Sequence, residues 1–241
     1  MPERIAVLDF GAQYNQLIAR RVREAGVFSE LLPYNAPLSR IRGDALSGVI
    51  LSGGPDSAYW EGAKRCDPGV FELGVPVLGV CYGMQLMAQQ LGGRVGEAPV
   101  REFGRTAIRF AKSPLFAGVD SETVWMTHND AVLALPQGFR TIAATEHCPI
   151  AAFADDARRL YGIQFHAEVA HTPQGERIFR NFLQNICGCA CTYSVAGLSD
   201  ALIDQVRAQV GEARVLGALS GGVDSSVASV LVHRAVGDRL T

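Results

Sequence analysis

Along this chain, short apolar runs alternate with segments whose apolar residues recur every three or four positions. Arg4 to Asp9 (RIAVLD) is nearly continuous in apolar character, as in a strand buried on both faces. Gln13 to Ala25 then places Leu17, Ile18, Val22 and Ala25 at helical spacing, and Gly26 closes the pattern. Val27 to Leu32, Gly48 to Leu51 and Val75 to Val80 read as further strands, and Gly83 to Leu91 as a helix stopped by Gly92 and Gly93. Strands alternating with helices predict an α/β fold, a mainly parallel or mixed sheet flanked by helices.

From residue 106 the pattern changes. Thr106 to Phe110, Thr123 to Met126, Thr141 to Thr145, Ile150 to Phe153 and Leu160 to Phe165 are short strand-like runs. They either extend the sheet or form an added β layer. Thr172 to Ile186 predicts a helix with Pro173 in its first turn and an apolar face of Ile178, Phe179, Phe182, Leu183 and Ile186. Cys187 to Ala196 has small residues and no period, and reads as a linker. Leu198 to Val210 predicts another helix, Val215 to Leu219 a strand, and Ser220 to Ser226 a Gly-rich turn entering a last helix. One helix, strand and helix fall below the size of an independent domain. The expectation is a first domain over 1–187, a linker over 188–197 and an incomplete second α/β unit over 198–241.

Composition narrows the function. The 241 residues are 48% hydrophobic and 19% charged, enough to bury a core. The 22 Lys and Arg against 24 Asp and Glu leave a net charge of −2, which argues against a nucleic-acid partner. No apolar run reaches the roughly 18 residues of a membrane span, so no membrane partner is expected. Met1 to Arg4 runs straight into the first strand pattern without a signal-peptide core. Six Cys in a chain of this length fit a reduced, cytoplasmic setting rather than a disulfide framework.

The chemistry starts at Gly79-Val80-Cys81-Tyr82-Gly83, between a strand and a helix. A G-x-nucleophile-x-G turn is the nucleophile elbow of hydrolases, here with Cys. The helix N-terminus favours thiolate over a reference pKa of about 8.5. The backbone N–H of Tyr82 would face developing negative charge. A buried structural cysteine at a strand end fits the elbow alone equally well. His166 and Glu168 stand two apart at the end of a strand-like run, so in extended backbone they point to one side. The carboxylate would then orient the imidazole as a base for Cys81. Ser52-Gly53-Gly54-Pro55 follows another strand, and Gly54 could supply a second oxyanion donor, although taken by itself the segment reads better as a plain tight turn.

Ser220-Gly221-Gly222-Val223-Asp224-Ser225-Ser226 puts hydroxyls and glycines at a helix start, an anion site suited to phosphate. It lacks the Lys of a Walker A loop. Asp224 could help hold Mg²⁺, and a plain Ser/Gly helix start is the alternative. Cys187, Cys189 and Cys191 lack zinc spacing and read as linker cysteines.

Taken together, Gly79 to Gln85, the Ser52 to Pro55 turn and the His166-x-Glu168 pair resemble the class I (triad) glutamine amidotransferase family. Asp9 to Tyr14, Trp125 to His128 and Ser220 to Ser226 strengthen the likeness. The resemblance implies a flavodoxin-like amidotransferase domain and, after it, the opening of an ATP pyrophosphatase domain of the adenine-nucleotide α-hydrolase type. It implies that Cys81, His166 and Glu168 hydrolyse glutamine without a cofactor, that Gly54 and Tyr82 hold the oxyanion, and that Gln85 helps bind glutamine. The ammonia would pass to a synthetase half using ATP and Mg²⁺ to aminate XMP, with Ser220 to Ser226 on the ATP phosphates and the complete enzyme a homodimer. Two departures bear on rate rather than identity: Ala167 stands where the family usually has Pro, and Asn129 where it usually has Gly. The competing expectations are a glutaminase domain of another class I amidotransferase, and a catalytically silent module that binds glutamine or a partner.

Overall fold

The computed structural model describes residues 3–43 and 45–241; Met1 and Pro2, part of the lead-in to the first strand, lie outside the described residues. The chain divides into two compact units, Met1–Thr192 and Tyr193–Thr241.

The first unit is built on an eight-stranded sheet. Its strands are β1 (Arg4–Asp9), β2 (Phe28–Pro33), β3 (Leu46–Leu51), β4 (Val77–Val80), β6 (Arg109–Phe110), β8 (Arg140–Ala144), β9 (Ala152–Asp155) and β10 (Leu160–Ile163). They lie in the order β2-β1-β3-β4-β10-β9-β8-β6. The strands from β2 to β10 pair in parallel, and β9, β8 and β6 continue the sheet antiparallel. Continuous apolar runs are what such a doubly covered sheet requires: Ile5 to Leu8 are wholly buried. Ile5 and Val7 pack into one core with Ile18 and Val22 of α1 (Asn15–Glu24) and Phe179 of α4 (Gly175–Arg180). Ala6 and Leu8 face the other way, into a core with Met84 and Met87 of α3 (Tyr82–Gln90) and Ile41 of the short α2 (Leu38–Arg42).

Three expectations for this unit are corrected. The predicted run Thr106 to Phe110 is split: Thr106 and Ala107 end a fourteen-residue strand β5 (Arg94–Ala107), which pairs antiparallel with β7 (Thr123–Ala134) in a separate two-stranded sheet, while Arg109 and Phe110 form β6 of the main sheet. The helix over Thr172 to Ile186 is α4 followed by a π-helical turn, Asn181–Ile186, and Pro173 precedes it instead of occupying its first turn. Its predicted apolar face is nonetheless buried. The last predicted strand ends at Ile163, so His166 and Glu168 lie beyond regular extended backbone.

The second unit packs α5 (Val195–Val210) and α6 (Val223–Val236) around Ile203, Ala235 and Val236. Helix α5 starts three residues inside the expected linker because the Ser194 hydroxyl accepts from the Gly197 N–H, 3.3 Å away, and caps it. The expected strand Val215 to Leu219 does not form. Among the described residues only a single bridge, Val215 to Leu240, is made there, and Leu216 and Leu219 are exposed. The run's backbone meets residues 239–241, through Val215 and Gly217, and so short a pairing makes no strand.

Candidate active site

Parallel strands of a doubly wound sheet deliver their carboxyl ends to one edge, where ligands of this architecture bind. Here that edge carries the segments after β1, β3, β4 and β10. Cys81 follows β4 directly and caps α3 with φ +53° and ψ −107°, a left-handed conformation rare for a residue with a side chain. The backbone is tied there by the Cys81 N–H to the Ile163 carbonyl at 2.8 Å and by the Gln85 N–H to the Cys81 carbonyl at 3.1 Å. The two flanking glycines are steric necessities. A Cβ on Gly79 would stand 2.6 Å from the Gly83 carbonyl group, and one on Gly83 would run into the Leu51 carbonyl oxygen and 2.6 Å from Leu51 Cβ. The sharp turn holds the sulfur over the helix N-terminus, near the Gln164 amide (3.6 Å) and the Thr127 carbonyl (3.7 Å).

His166 and Glu168 come from the segment after β10. His166 Nδ1 lies 2.7 Å from Glu168 Oε1, and both side chains are buried. The ring stands beside the cysteine: a Cβ on Gly53 would meet both His166 Cε1, at 3.5 Å, and Cys81 Cβ, at 3.8 Å. Burial alone would favour the neutral ring, but the Cys81 sulfur, and after it the Glu168 carboxylate, outweigh burial and raise the His166 pKa to about 11. The bends of residues 164–170, not the alternation of a strand, bring the two side chains together. Two contacts that the sequence does not reveal fix the backbone: the Trp125 carbonyl accepts the His166 N–H at 3.0 Å, and the Thr172 hydroxyl donates to the His166 carbonyl at 2.6 Å. Tyr14 sets its ring edge-on to His166, centroids 5.7 Å apart.

A cavity of about 200 Å³ opens beside the sulfur, walled by Gly54, Tyr82, Gln85, Thr127 and Asp130 among others. That is well below the roughly 300–1,000 Å³ of sites for drug-sized ligands and suits a small metabolite. A wider cleft of about 710 Å³ beside Ile108, Val119 and Glu122 holds no cysteine or histidine. Gln85 donates from Nε2 to the Asp130 carbonyl (2.9 Å) and to Gln164 Oε1 (3.1 Å), so it braces the wall as well as lining it. Asp130 receives hydrogen bonds on its carboxylate from Ser57 (2.5 Å) and Tyr59 (3.3 Å). Neither Asp130 nor Ser57 stands out as a ligand-facing group in the sequence, because 73 positions separate them.

Cys81, His166, Glu168, Gly54, Tyr82 and Gln85 are thus brought together in the first unit. Ser220 to Ser226 lie in the second unit, at the start of α6, with all seven residues exposed or half-exposed. Ser220 Oγ is 3.0 Å from Ser225 Oγ, and the Ser225 and Ser226 hydroxyls donate to the Gly222 carbonyl at 3.0 and 2.9 Å. Asp224 stands in the first turn of α6. Among the described residues the group of three side chains able to ligate one metal ion is Glu102, His128 and Cys148, not one around Asp224.

Against known proteins, the profile for glutamine amidotransferase class-I matches residues 6–186, and the chain belongs to that family. Within it the chain is similar to GMP synthases. It is 54% identical over 241 residues to the glutamine-hydrolysing GMP synthase of Ruminiclostridium cellulolyticum, covering 99% of this chain and 47% of that protein. It is 53% identical over 242 residues to that of Gloeobacter violaceus, covering 99% of this chain and 44% of that one. The chain therefore spans about half the length of the curated relatives it matches. A solved Thermoplasma acidophilum protein, described provisionally as one subunit of a GMP synthase, is 36% identical with a TM-score of 0.70, covering 78% of this chain and 95% of that one. A Thermotoga maritima glutamine amidotransferase of 19% identity and TM-score 0.61, covering 78% of this chain and 99% of that one, shares the fold. No described helix is long and apolar enough to cross a membrane.

Proposed function

We propose that the first unit hydrolyses L-glutamine to glutamate and ammonia. The observation that carries this reading is Cys81 at φ +53°, lining a small cavity and standing beside an imidazole that Glu168 holds through Nδ1. The Cys81 thiolate attacks the side-chain amide carbon, and the N–H groups of Gly54 and Tyr82 take the developing oxyanion. The protonated His166 gives its proton to the nitrogen as the C–N bond breaks, leaving a glutamyl thioester. The neutral His166 then takes a proton from water, whose oxygen attacks the thioester and returns the sulfur as thiolate. Gln85 and the Asp130 carboxylate line the far wall, where Asp130 meets the substrate's α-ammonium group. Hydrolysis at this site calls for no cofactor.

The ammonia serves an ATP-dependent amination of XMP to GMP in the cytoplasm, a reading supported by the names of the relatives and by the Ser220 to Ser226 loop. Three hydroxyls and the backbone N–H groups at the start of a 14-residue helix suit phosphate oxygens, so this loop takes the ATP phosphates. Asp224 would hold the Mg²⁺ that neutralises phosphate charge when bound. A diazoketone analogue of glutamine tests the nucleophile. It should label Cys81 stoichiometrically and spare Cys66 and Cys148, whose burial pushes both thiols up to about 12. Label spread evenly over several cysteines would contradict the assignment.

A further inference from the structure

At the cavity wall, to which His128 belongs, lies a buried pair that the hydrolytic steps do not use. His128 and Glu102 side chains are 1% and 5% exposed, and His128 Nε2 lies 3.2 Å from Glu102 Oε2. On its other side the ring meets the Asp130 backbone carbonyl, 3.0 Å from Nδ1. Glu102 Oε1 accepts from the Thr145 hydroxyl at 2.8 Å, and that hydroxyl in turn accepts the Cys148 N–H at 2.8 Å, so its own proton points at Glu102.

A backbone carbonyl can only accept, so the hydrogen in this contact is carried by His128 Nδ1 and given to Asp130. Glu102 Oε2 stands against the opposite ring nitrogen and, with its other oxygen tied by Thr145, fixes the ring. Cutting either contact leaves a buried polar group without its partner.

The carbonyl that receives the His128 proton belongs to Asp130, whose carboxylate lines the cavity. Its second donor is Gln85 Nε2. The β5–β7 ladder changes register here, between Glu97 opposite Asp130 and Glu102 opposite His128. Side-chain donors thus hold a backbone that the ladder does not hold continuously.

We propose that Glu102 and His128 are positioning residues for substrate glutamine: their hydrogen-bonded chain fixes the Asp130 backbone, and through it the carboxylate that receives the substrate's α-ammonium group. This rests on the reading of the cavity as a glutamine site. Both side chains are buried and are bonded to groups other than Cys81 and His166, so the effect falls on KM and not on kcat.

The test is steady-state glutamate formation by the 241-residue chain and three variants. Glu102→Ala and His128→Phe should raise the KM for glutamine about tenfold, the scale of one lost buried hydrogen bond, with kcat within about twofold. Glu102→Gln is the diagnostic variant. Its amide oxygen can accept from Thr145 while its N–H donates to His128 Nε2, leaving a neutral ring to donate to Asp130. It should restore KM to within about twofold of wild type. Circular dichroism checks folding, and if His128→Phe is unfolded the Ala and Gln variants at 102 decide. An unchanged KM in Glu102→Ala, or a Glu102→Gln variant as impaired as Glu102→Ala, overturns the proposal. A wild-type chain that forms no glutamate overturns the glutaminase reading itself.

Discussion

Glu168 Oε1 sits 2.7 Å from His166 Nδ1, with the two side chains 1% and 6% exposed, although a single residue separates them and neither lies in a strand. The pairing offsets the cost of burying an imidazolium and leaves the opposite ring nitrogen for Cys81. Glu168→Gln should therefore cut glutamine turnover by about 10²-fold, the scale of a general acid–base contribution. Turnover within a few fold of wild type would show that the carboxylate charge does not matter to the ring.

His166, raised against the cost of burial first by the Cys81 sulfur and then by Glu168, sets a pH signature on stability. The His166 pKa is raised from 6.5 to about 11, so its stabilisation is complete below about 6.5 and is lost as pH climbs toward 11. Melting temperatures of wild type and Glu168→Gln should differ most near pH 6 and converge toward pH 11. A gap that widens with pH would show that the ring is buried neutral.

At the elbow, Gly83→Ala presses a methyl group against the Leu51 carbonyl on β3. Backbone cannot step aside as a flexible side chain can. Urea titration should show a loss of about 1–3 kcal/mol or more. An unchanged midpoint would mean that the turn is looser than described.

In the second unit, Leu216, Leu219, Val223, Val227 and Val230 are all exposed, and few apolar contacts hold α6. Amide hydrogen exchange should be much faster over residues 215–230 than over β4, whose four residues are fully buried. Equal protection of the two segments would contradict this difference in packing.

The parallel half of the sheet is legible in the sequence because strands buried on both faces must be apolar where they are covered, as Ile5 to Leu8 and Val77 to Val80 are. Strand β5 is not legible that way. Gly96, Pro99, Arg101, Glu102 and Gly104 break any alternation, and its pairing comes from β7, some thirty residues on. Val215 to Leu219 misleads for the opposite reason, since β propensity without a partner strand makes no sheet. In the site, Cys81 and its glycines form a contiguous motif, and His166 and Glu168 a short one. Asp130, Ser57, Thr172 and the Glu102–His128 pair act through contacts across 26 to 73 positions or through backbone groups, and only the folded chain brings those together.

The central claim is that Cys81 is the nucleophile of a glutamine hydrolysis. Its most direct test is to incubate the 241-residue chain and its Cys81→Ala variant with L-glutamine and to quantify glutamate and ammonia. The wild-type chain should release the two in equal amounts. Cys81→Ala, which removes one sulfur from a fold held by other contacts, should keep its circular dichroism spectrum and release neither above background. A wild-type chain with no turnover, or a Cys81→Ala variant that still forms glutamate, would contradict the account.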